Sequence, residues 1–178
     1  MTASHLQPGG EVRLEPLTLA CAPSMARWMQ DPEVSRNIAL RKTVTLASTE
    51  AWVANAVQDQ SMRPFAIRSG DAYVGNVILD RIDPYIGSAR FSIYIGDSAA
   101  RGKGVAAAAI RLVLTEAFAA LQLNKVWLMV QSKNIRAINL YLKTGFVLEG
   151  ILRDEVVLDG ERVPALYMSI LRREFLSR

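Results

Sequence analysis

Two glycines, Gly102 and Gly104, flank Lys103 directly before an alanine-rich segment that begins at Val105. Glycine lets the backbone come close to a ligand and adopt positive φ values. The alanine-rich segment favours a helix, and the start of a helix presents unpaired N–H groups and the positive end of the helix dipole. Such a helix start binds phosphate groups. The stretch therefore predicts a phosphate-binding loop between a strand and a helix.

Two common phosphate-binding patterns do not fit this stretch. A P-loop needs a second glycine five residues after the first, and Arg101 occupies that position after Gly96. The dinucleotide pattern Gly-x-Gly-x-x-Gly/Ala does match the segment that begins at Gly102. It also needs an acidic residue about 20 residues further on, and Asn124 and Lys125 lie there instead. Neither a P-loop nor a dinucleotide site is therefore expected.

A third pattern, Arg/Gln-x-x-Gly-x-Gly/Ala, is matched by Arg101, Gly104 and Ala106. It resembles the pyrophosphate loop of the Gcn5-related N-acetyltransferases. The resemblance implies that acetyl-CoA is the co-substrate and that Ile93 and Ile95 of the preceding strand offer backbone partners to its pantetheine arm. The residues implied in contact with the cofactor in the loop are Arg101, Gly102, Lys103, Gly104, Val105 and Ala106. Taken alone, the stretch is also compatible with a plain helix entry that uses a flexible glycine turn.

A second motif lies further along the chain, and its residues are Asn134, Ala137, Tyr141, Gly145 and Phe146. This spacing resembles the segment that follows strand five in the same acetyltransferases. The resemblance implies that Tyr141 donates its phenolic proton to the sulfur of coenzyme A and that Asn134 hydrogen-bonds the pantetheine arm. The plainer alternatives are a half-buried packing tyrosine and a helix N-cap asparagine.

The resemblance extends over most of the chain, from about Val12 to Glu174. The segment Trp28–Arg36 is similar to the Trp-x-x-Asp-Pro-Glu-Val entry of the RimJ/RimL-like branch, and Leu148–Arg153 is similar to its closing hairpin. One departure is visible, because many relatives carry an aspartate near the last strand where this chain has Val163–Ala165. An acidic contact at that position is therefore not expected.

The general base is the least defined part of the predicted site. Glu33 borders the acceptor pocket by resemblance, and its carboxylate is a candidate base, although a solvated charge at a helix start is the plainer interpretation. Tyr94 is a second polar candidate, and its alternative is packing on a strand face. A chain of water molecules would serve equally well, because a free amine needs little help to lose a proton.

Composition limits the other classes of function. Cys21 is the single cysteine and His5 the single histidine, which speaks against internal disulfides, a metal site and histidine catalysis. The net charge of +4 is spread along the chain, so no nucleic-acid partner is expected. The apolar run Val126–Val130 is too short for a membrane span, and Met1–Gly10 lacks the regions of a signal peptide. We expect a cytoplasmic protein that needs no membrane or metal.

At 178 residues and 51% hydrophobic content, the chain predicts one domain over residues 12–178 after a disordered lead-in over residues 1–11. The fold class expected is α/β (α+β), with a mixed, mostly antiparallel sheet of six to seven strands and helices on both faces. The sheet should splay beside residues 91–95. The expected strands are Val12–Leu17, Phe65–Arg68, Tyr73–Leu79, Ala89–Ile95, Lys125–Val130, Phe146–Val157 and Glu161–Leu171. The expected helices are Leu19–Gln30, Glu33–Asn37, Ser48–Gln60, Gly104–Leu121 and Ile135–Thr144.

The function implied by the resemblance is direct transfer of an acetyl group from acetyl-CoA to a primary amine. A non-catalytic acyl-CoA-binding sensor or interaction module stays open as the alternative, as does a homodimer. The acceptor is expected to be a protein N-terminus or an amino sugar rather than a polycation, because the charges between Ala20 and Gln60 cancel. Arg41 and Lys42 are expected to hold an acidic part of that acceptor. The charges in question are Asp31, Glu33, Glu50 and Asp59 against Arg27, Arg36, Arg41 and Lys42.

Overall fold

The computed structural model describes residues 11–38 and 43–177. The strands are β1 Val12–Pro16, β2 Arg63–Ser69, β3 Ala72–Asp83, β4 Ser88–Ile95, β5 Lys125–Gln131, β6 Val147–Leu158 and β7 Glu161–Leu171. The α-helices are α1 Ala22–Met29, α2 Pro32–Asn37, α3 Leu46–Ala56, α4 Val105–Thr115, α5 Ile135–Thr144 and α6 Arg172–Leu176. None of the helices in these two ranges is long and apolar enough to span a membrane.

The strands form one seven-stranded sheet in the order β1-β2-β3-β4-β5-β7-β6. Every neighbouring pair is antiparallel except β4 and β5, which run parallel. These two strands pair only from Ser88 opposite Lys125 to Arg90 opposite Trp127. Beyond Arg90 they diverge, so the sheet opens beside the second half of β4. This confirms the predicted fold class.

Helices cover both faces of the sheet and bury two clusters of side chains. On one face the stripe Ile110, Leu114 and Phe118 of α4 is buried in the larger cluster. On the other face Cys21, Met25 of α1 and Val53 of α3 form a smaller cluster. The helical spacing of these apolar residues explains why each helix lies flat on the sheet. Cys21 is buried, as its apolar surroundings in the sequence predicted.

The element bounds differ from the predicted ones in a few places. Thr45, not Ser48, is the N-cap of α3, and the two side chains bond each other's backbone amides in a capping box. Beyond Thr115 the chain continues as one π-helical turn, Glu116–Ala120. Arg172–Leu176 forms a short helix that was not among the predicted elements. Residues 1–10 lie outside the described ranges, so the single domain and its lead-in stay predictions.

Candidate active site

A cavity of about 1170 Å³ lies where β4 and β5 diverge. Its walls come from α2, the second half of β4, the loop that leads into α4, the end of β5, one face of α5 and the middle of β6. Most of the predicted site residues are on this wall, although they come from segments far apart in the chain. The residues concerned are Glu33, Ile93, Ile95, Arg101, Gly102, Gly104, Val105, Ala106, Asn134 and Tyr141.

The backbone of β4 is free to pair with a ligand along this opening. Gly96 donates its N–H to Val74 O at 2.9 Å, so the even-numbered residues of β4 pair with β3. The N–H and C=O groups of Ile93 and Ile95 therefore point toward the missing β5 partner. Ile95 O already accepts a hydrogen bond from Arg101 Nε at 3.1 Å. Both backbone groups of Ile93 and the N–H of Ile95 are left for an extended ligand.

The loop before α4 takes the conformation that its glycines predicted. Gly102 has a φ of +75° and Gly104 a φ of +80°, and a Cβ atom at either position would meet nothing within 4 Å. Gly104 is the N-cap of α4, and its carbonyl accepts the first helical bond from Ala108 N at 3.1 Å. The amides of the first turn, Val105 to Ala107, have no helical partner and face open space. This arrangement suits an anion.

Backbone groups, rather than a charged side chain, dominate this anion site. Lys103 is exposed, and it is not part of the cavity wall. The Val105 side chain is buried in the larger cluster, so it fixes the start of α4 while its amide stays available. The predicted contacts of these residues with the cofactor stay predictions.

Arg101 does not present its guanidinium as a free cation. Its Nε and Nη2 donate to the carbonyl oxygens of Ile95 at 3.1 Å and Gly96 at 3.0 Å. Its Nη1 lies 2.6 Å from Glu33 Oε2, and its Nη2 lies 3.4 Å from Asp31 Oδ2. The side chain is only 14% exposed. Arg101 therefore ties the end of β4 to the start of α2, a use that the motif did not predict.

The two candidates for the general base are both engaged. Glu33 lines the cavity with a side chain that is 57% exposed, and Arg101 neutralises its carboxylate. The role of Glu33 as a general base stays a prediction. The Tyr94 hydroxyl donates to Asn76 Oδ1 at 2.7 Å, and burial raises the pKa of Tyr94. This favours the packing interpretation of Tyr94.

Tyr141 combines a buried ring with an available hydroxyl. The residue is 8% exposed, and its ring meets Phe91 edge-on at a centroid distance of 6.0 Å. In the described part of the chain, no fully buried side-chain oxygen lacks a hydrogen-bond partner. The Tyr141 hydroxyl has no protein partner there, so it reaches the cavity that the residue lines. Burial raises the pKa of Tyr141 to about 12, so the phenol keeps its proton at neutral pH.

Asn134 serves as the N-cap of α5. Its Oδ1 accepts the N–H of Ala137 at 3.1 Å. The amide NH₂ remains free to donate into the cavity, which Asn134 lines. Asn134 can therefore cap α5 and still donate a hydrogen bond to a pantetheine arm, so both interpretations of Asn134 from the sequence hold together.

Sequence reasoning missed two carboxylates on β6. Between Leu152, which faces Ala165, and Val156, which faces Val163, the ladder is interrupted. The residues in between, which include Asp154 and Glu155, face only Pro164 on β7. Proline has no N–H for the ladder, which explains a bulge at this point. Asp154 takes a φ of +54°, and both residues line the cavity. The only signal in the sequence was a proline inside a strand.

Sequence and structure comparisons agree on the kind of domain. A family model described as "Acetyltransferase (GNAT) domain" matches residues 11–147. The spermidine N(1)-acetyltransferase of Escherichia coli strain K12 is 34% identical over 121 residues, which cover 68% of this chain and 64% of that protein. The same enzyme of Vibrio cholerae is 33% identical over 86% of this chain and 83% of its own length.

One solved structure is similar to this chain in fold and, to a lesser degree, in sequence. It is the spermidine N-acetyltransferase from Vibrio cholerae in complex with CoA and spermine, with a TM-score of 0.88 and 26% identity. The match covers 93% of this chain and 98% of that one.

Within residues 11–38 and 43–177 of this chain, no group of three or more His, Cys, Asp or Glu side chains is placed to hold a metal.

Proposed function

Because the chain belongs to the GNAT acetyltransferase family, we propose that it transfers the acetyl group of acetyl-CoA to a primary amine of a polyamine such as spermidine. The family match confirms the class of enzyme and the co-substrate that the sequence predicted, an N-acetyltransferase that uses acetyl-CoA. The RimJ/RimL-like branch is not supported, because the relatives reported above are spermidine N-acetyltransferases.

The observation that carries the choice of a polyamine is the pair of carboxylates that β6 adds to the cavity wall. Asp154 and Glu155 lie on the cavity wall, and neither has an ion-pair partner in the part of the chain that the structure describes. Glu33 lies on the wall as well, but Arg101 already neutralises its carboxylate. A polycation bound beside β6 would place two of its ammonium groups close to a countercharge.

This proposal replaces our expectation of a neutral or anion-bearing acceptor, such as an amino sugar or a protein N-terminus. That expectation balanced Arg36 against the acidic residues between Ala20 and Gln60, but its Nη2 lies 2.6 Å from Oδ2 of Asp159, which lies outside that segment. It also left out the carboxylates of β6, because their place beside the cavity depends on the fold. Arg41 and Lys42, which were expected to hold an acidic group, lie outside the described residues.

The reaction requires one bond to form and one to break. The nitrogen of the neutral amine forms a bond to the thioester carbonyl carbon, and the carbon–sulfur bond breaks. The proton that the amine loses balances the proton that the sulfur gains. A phenol with a pKa of about 12 is a weaker acid than an ordinary thiol, whose pKa is about 8.5. Tyr141 therefore stabilises the departing thiolate by a hydrogen bond, and it passes on its proton only as it receives another.

The proposal is tested by the acceptor preference of the purified protein. Release of free coenzyme A is followed with spermidine, an amino sugar and a peptide with a free N-terminus as acceptors. We expect the highest kcat/KM with spermidine. A clear preference for either other amine would refute the polyamine assignment, whereas tight acetyl-CoA binding without turnover on any amine would favour a non-catalytic acyl-CoA-binding module.

A further inference from the structure

The short helix α2 bridges the opening between β4 and β5. At its start, Asp31 and Glu33 lie within ion-pair distance of Arg101, at 3.4 Å and 2.6 Å. Arg101 in turn donates to the carbonyls of Ile95 and Gly96, where β4 ends. The N-terminus of α2 is thus linked by ion pairs and hydrogen bonds to β4, the strand that borders the cavity on the cofactor side.

The other end of α2 is fastened to β5. Gln131, the last residue of β5, donates from Nε2 to Arg36 O at 2.6 Å and to Asn37 O at 3.1 Å. Carbonyls in the last turn of a helix lack the regular helical bond, and Gln131 bonds two of them. Because both partners are carbonyl oxygens, the group between them must be a donor, as the amide NH₂ of Gln131 is. Gln131 is 6% exposed, so water competes little for these bonds.

We propose that Gln131 is a positioning residue for the acceptor amine. By holding the last turn of α2 against the end of β5, it fixes the width of the opening at its acceptor side. It thereby sets the places of Glu33, Val34 and Asn37, which α2 contributes to the cavity wall. This inference rests on the proposed function, because it assumes that the acceptor binds beside α2.

The two ends of α2 differ in how firmly they are held. The carboxylates at the start are well exposed, at 39% for Asp31 and 57% for Glu33, and solvent screens such pairs. The nearby Arg36–Asp159 pair is also exposed. The Gln131 bonds are buried and involve no charge, so salt does not weaken them. We therefore place the main control of the helix position at Gln131.

The test compares the variant Gln131→Met with the wild type. Methionine keeps the length of the side chain but removes both donors. We expect kcat/KM for spermidine to fall by about 10- to 100-fold, since a small misplacement of a substrate is enough for such a loss. The KM for spermidine should rise while the Kd for acetyl-CoA, measured by calorimetry, stays unchanged. Gln122→Met is the matched control, because exposed Gln122 also donates to a helix carbonyl, that of Ala119, away from the cavity wall.

Hydrogen–deuterium exchange gives a readout that needs no acceptor. Amides of residues 34–38 should exchange faster in Gln131→Met than in the wild type, while those of residues 105–110 should not change. Should Gln131→Met fail to fold, Gln131→Glu keeps the shape and replaces both donors by acceptors, and the same results are expected.

Each outcome of these measurements bears on the inference. A lower Tm with unchanged kcat/KM and unchanged exchange in α2 would overturn it and leave Gln131 with a purely structural role. If the wild type prefers an amine other than spermidine, the polyamine assignment fails, and Gln131→Met is compared with the wild type on that amine instead. Equal losses for acetyl-CoA and for the acceptor would also contradict the positioning role.

Discussion

The two sides of the cavity that we assign to the cofactor and to the acceptor offer different groups to a ligand. On the cofactor side, the second half of β4 and the first turn of α4 offer backbone N–H and C=O groups. On the acceptor side, the wall is made of side chains from α2, β5 and β6, such as Glu33, Gln131 and Asp154. A site made of backbone groups comes from one short stretch of sequence, so a sequence motif can identify it. A side-chain site is assembled by the fold, so no single stretch reveals it.

The two sides also differ in charge. The free amides at the start of α4 carry the positive end of a helix dipole, which suits the phosphates of coenzyme A. The acceptor side carries the carboxylates of Asp154 and Glu155 on the β6 bulge. An anionic co-substrate and a cationic acceptor would therefore each find their own side of one cavity. Substitutions on the two sides should separate these contributions.

The largest effect is expected on the cofactor side, from Gly104→Asp. The φ of +80° strains any side chain at this position, but aspartate is one of the few residues that visit positive φ, and a Cβ atom meets nothing within 4 Å, so the variant should fold. Its carboxylate would stand before the amides that bind phosphate, and we expect acetyl-CoA binding measured by calorimetry to be abolished.

Two controls make this result specific. Gly104→Asn has the same shape without the charge and should weaken binding far less. Lys103→Gln should leave the Kd for acetyl-CoA nearly unchanged, because Lys103 is exposed and outside the cavity wall. Full affinity in Gly104→Asp would show that the phosphates do not bind at this loop.

The second effect concerns the chemical step between the two sides. Tyr141→Phe removes the hydroxyl that faces the cavity, and we expect kcat to fall by about 10- to 1,000-fold, the range for loss of one proton donor. Acetyl-CoA affinity should stay nearly intact. Tyr94→Phe is the control, because the Tyr94 hydroxyl is already bonded to Asn76 and its loss should change kcat little.

The pH dependence of the wild type sharpens this assignment. The phenol form of Tyr141 is present below its pKa and is lost only as the pH rises through about 12. With a monoamine acceptor such as butylamine, which needs no second ammonium group for binding, we therefore expect kcat/KM to rise with pH as the amine loses its proton, without a decline near pH 10, where an ordinary tyrosine titrates (about 10). A falling limb near pH 10, or an unchanged kcat in Tyr141→Phe, would contradict the role of Tyr141.

A smaller effect, on the stability of the fold, is expected from a substitution at Gly96, directly after β4. A Cβ atom at Gly96 would lie 2.0 Å from Cδ2 of Trp28, the buried tryptophan near the end of α1. We expect Gly96→Ala to lower the free energy of unfolding by about 1–3 kcal/mol, since the ring must shift. A Cβ atom at Gly150 meets nothing within 4 Å, so Gly150→Ala is the matched control. Equal stability of the two variants in denaturant unfolding would show that Trp28 does not fix this junction.

The fold was largely predictable from local patterns. The alternation of apolar residues indicated the strands. The dipeptide Asp159–Gly160 is typical of a hairpin turn, and both residues take the positive φ values that such a turn needs, 53° and 83°. Gly145 ends α5 at a φ of +106°, as its position after Thr144 predicted. Each of these signals depends only on residues that are close together in the sequence, so the sequence alone is enough to read it.

The acceptor side was not predictable for the same physical reason. Arg101 meets Glu33, a residue 68 positions earlier, and Gln131 meets Arg36 O, 95 positions earlier. The place of Asp154 beside the cavity depends on the register of β6 against Pro164. Contacts of this kind follow from the packing of the whole sheet, so a count of charges in one part of the chain could not include the carboxylates of β6.

The most direct test of the charge-based account of the acceptor uses the double variant Asp154→Asn, Glu155→Gln. Two exposed ion pairs are each worth up to about 1 kcal/mol, so kcat/KM for spermidine should fall measurably, by up to about 30-fold, at low salt. For a monoamine such as butylamine, which has a single ammonium group, kcat/KM should change much less, and the Kd for acetyl-CoA should not change. An equal loss for both amines, or no loss for spermidine, would contradict recognition of a polycation by the β6 carboxylates.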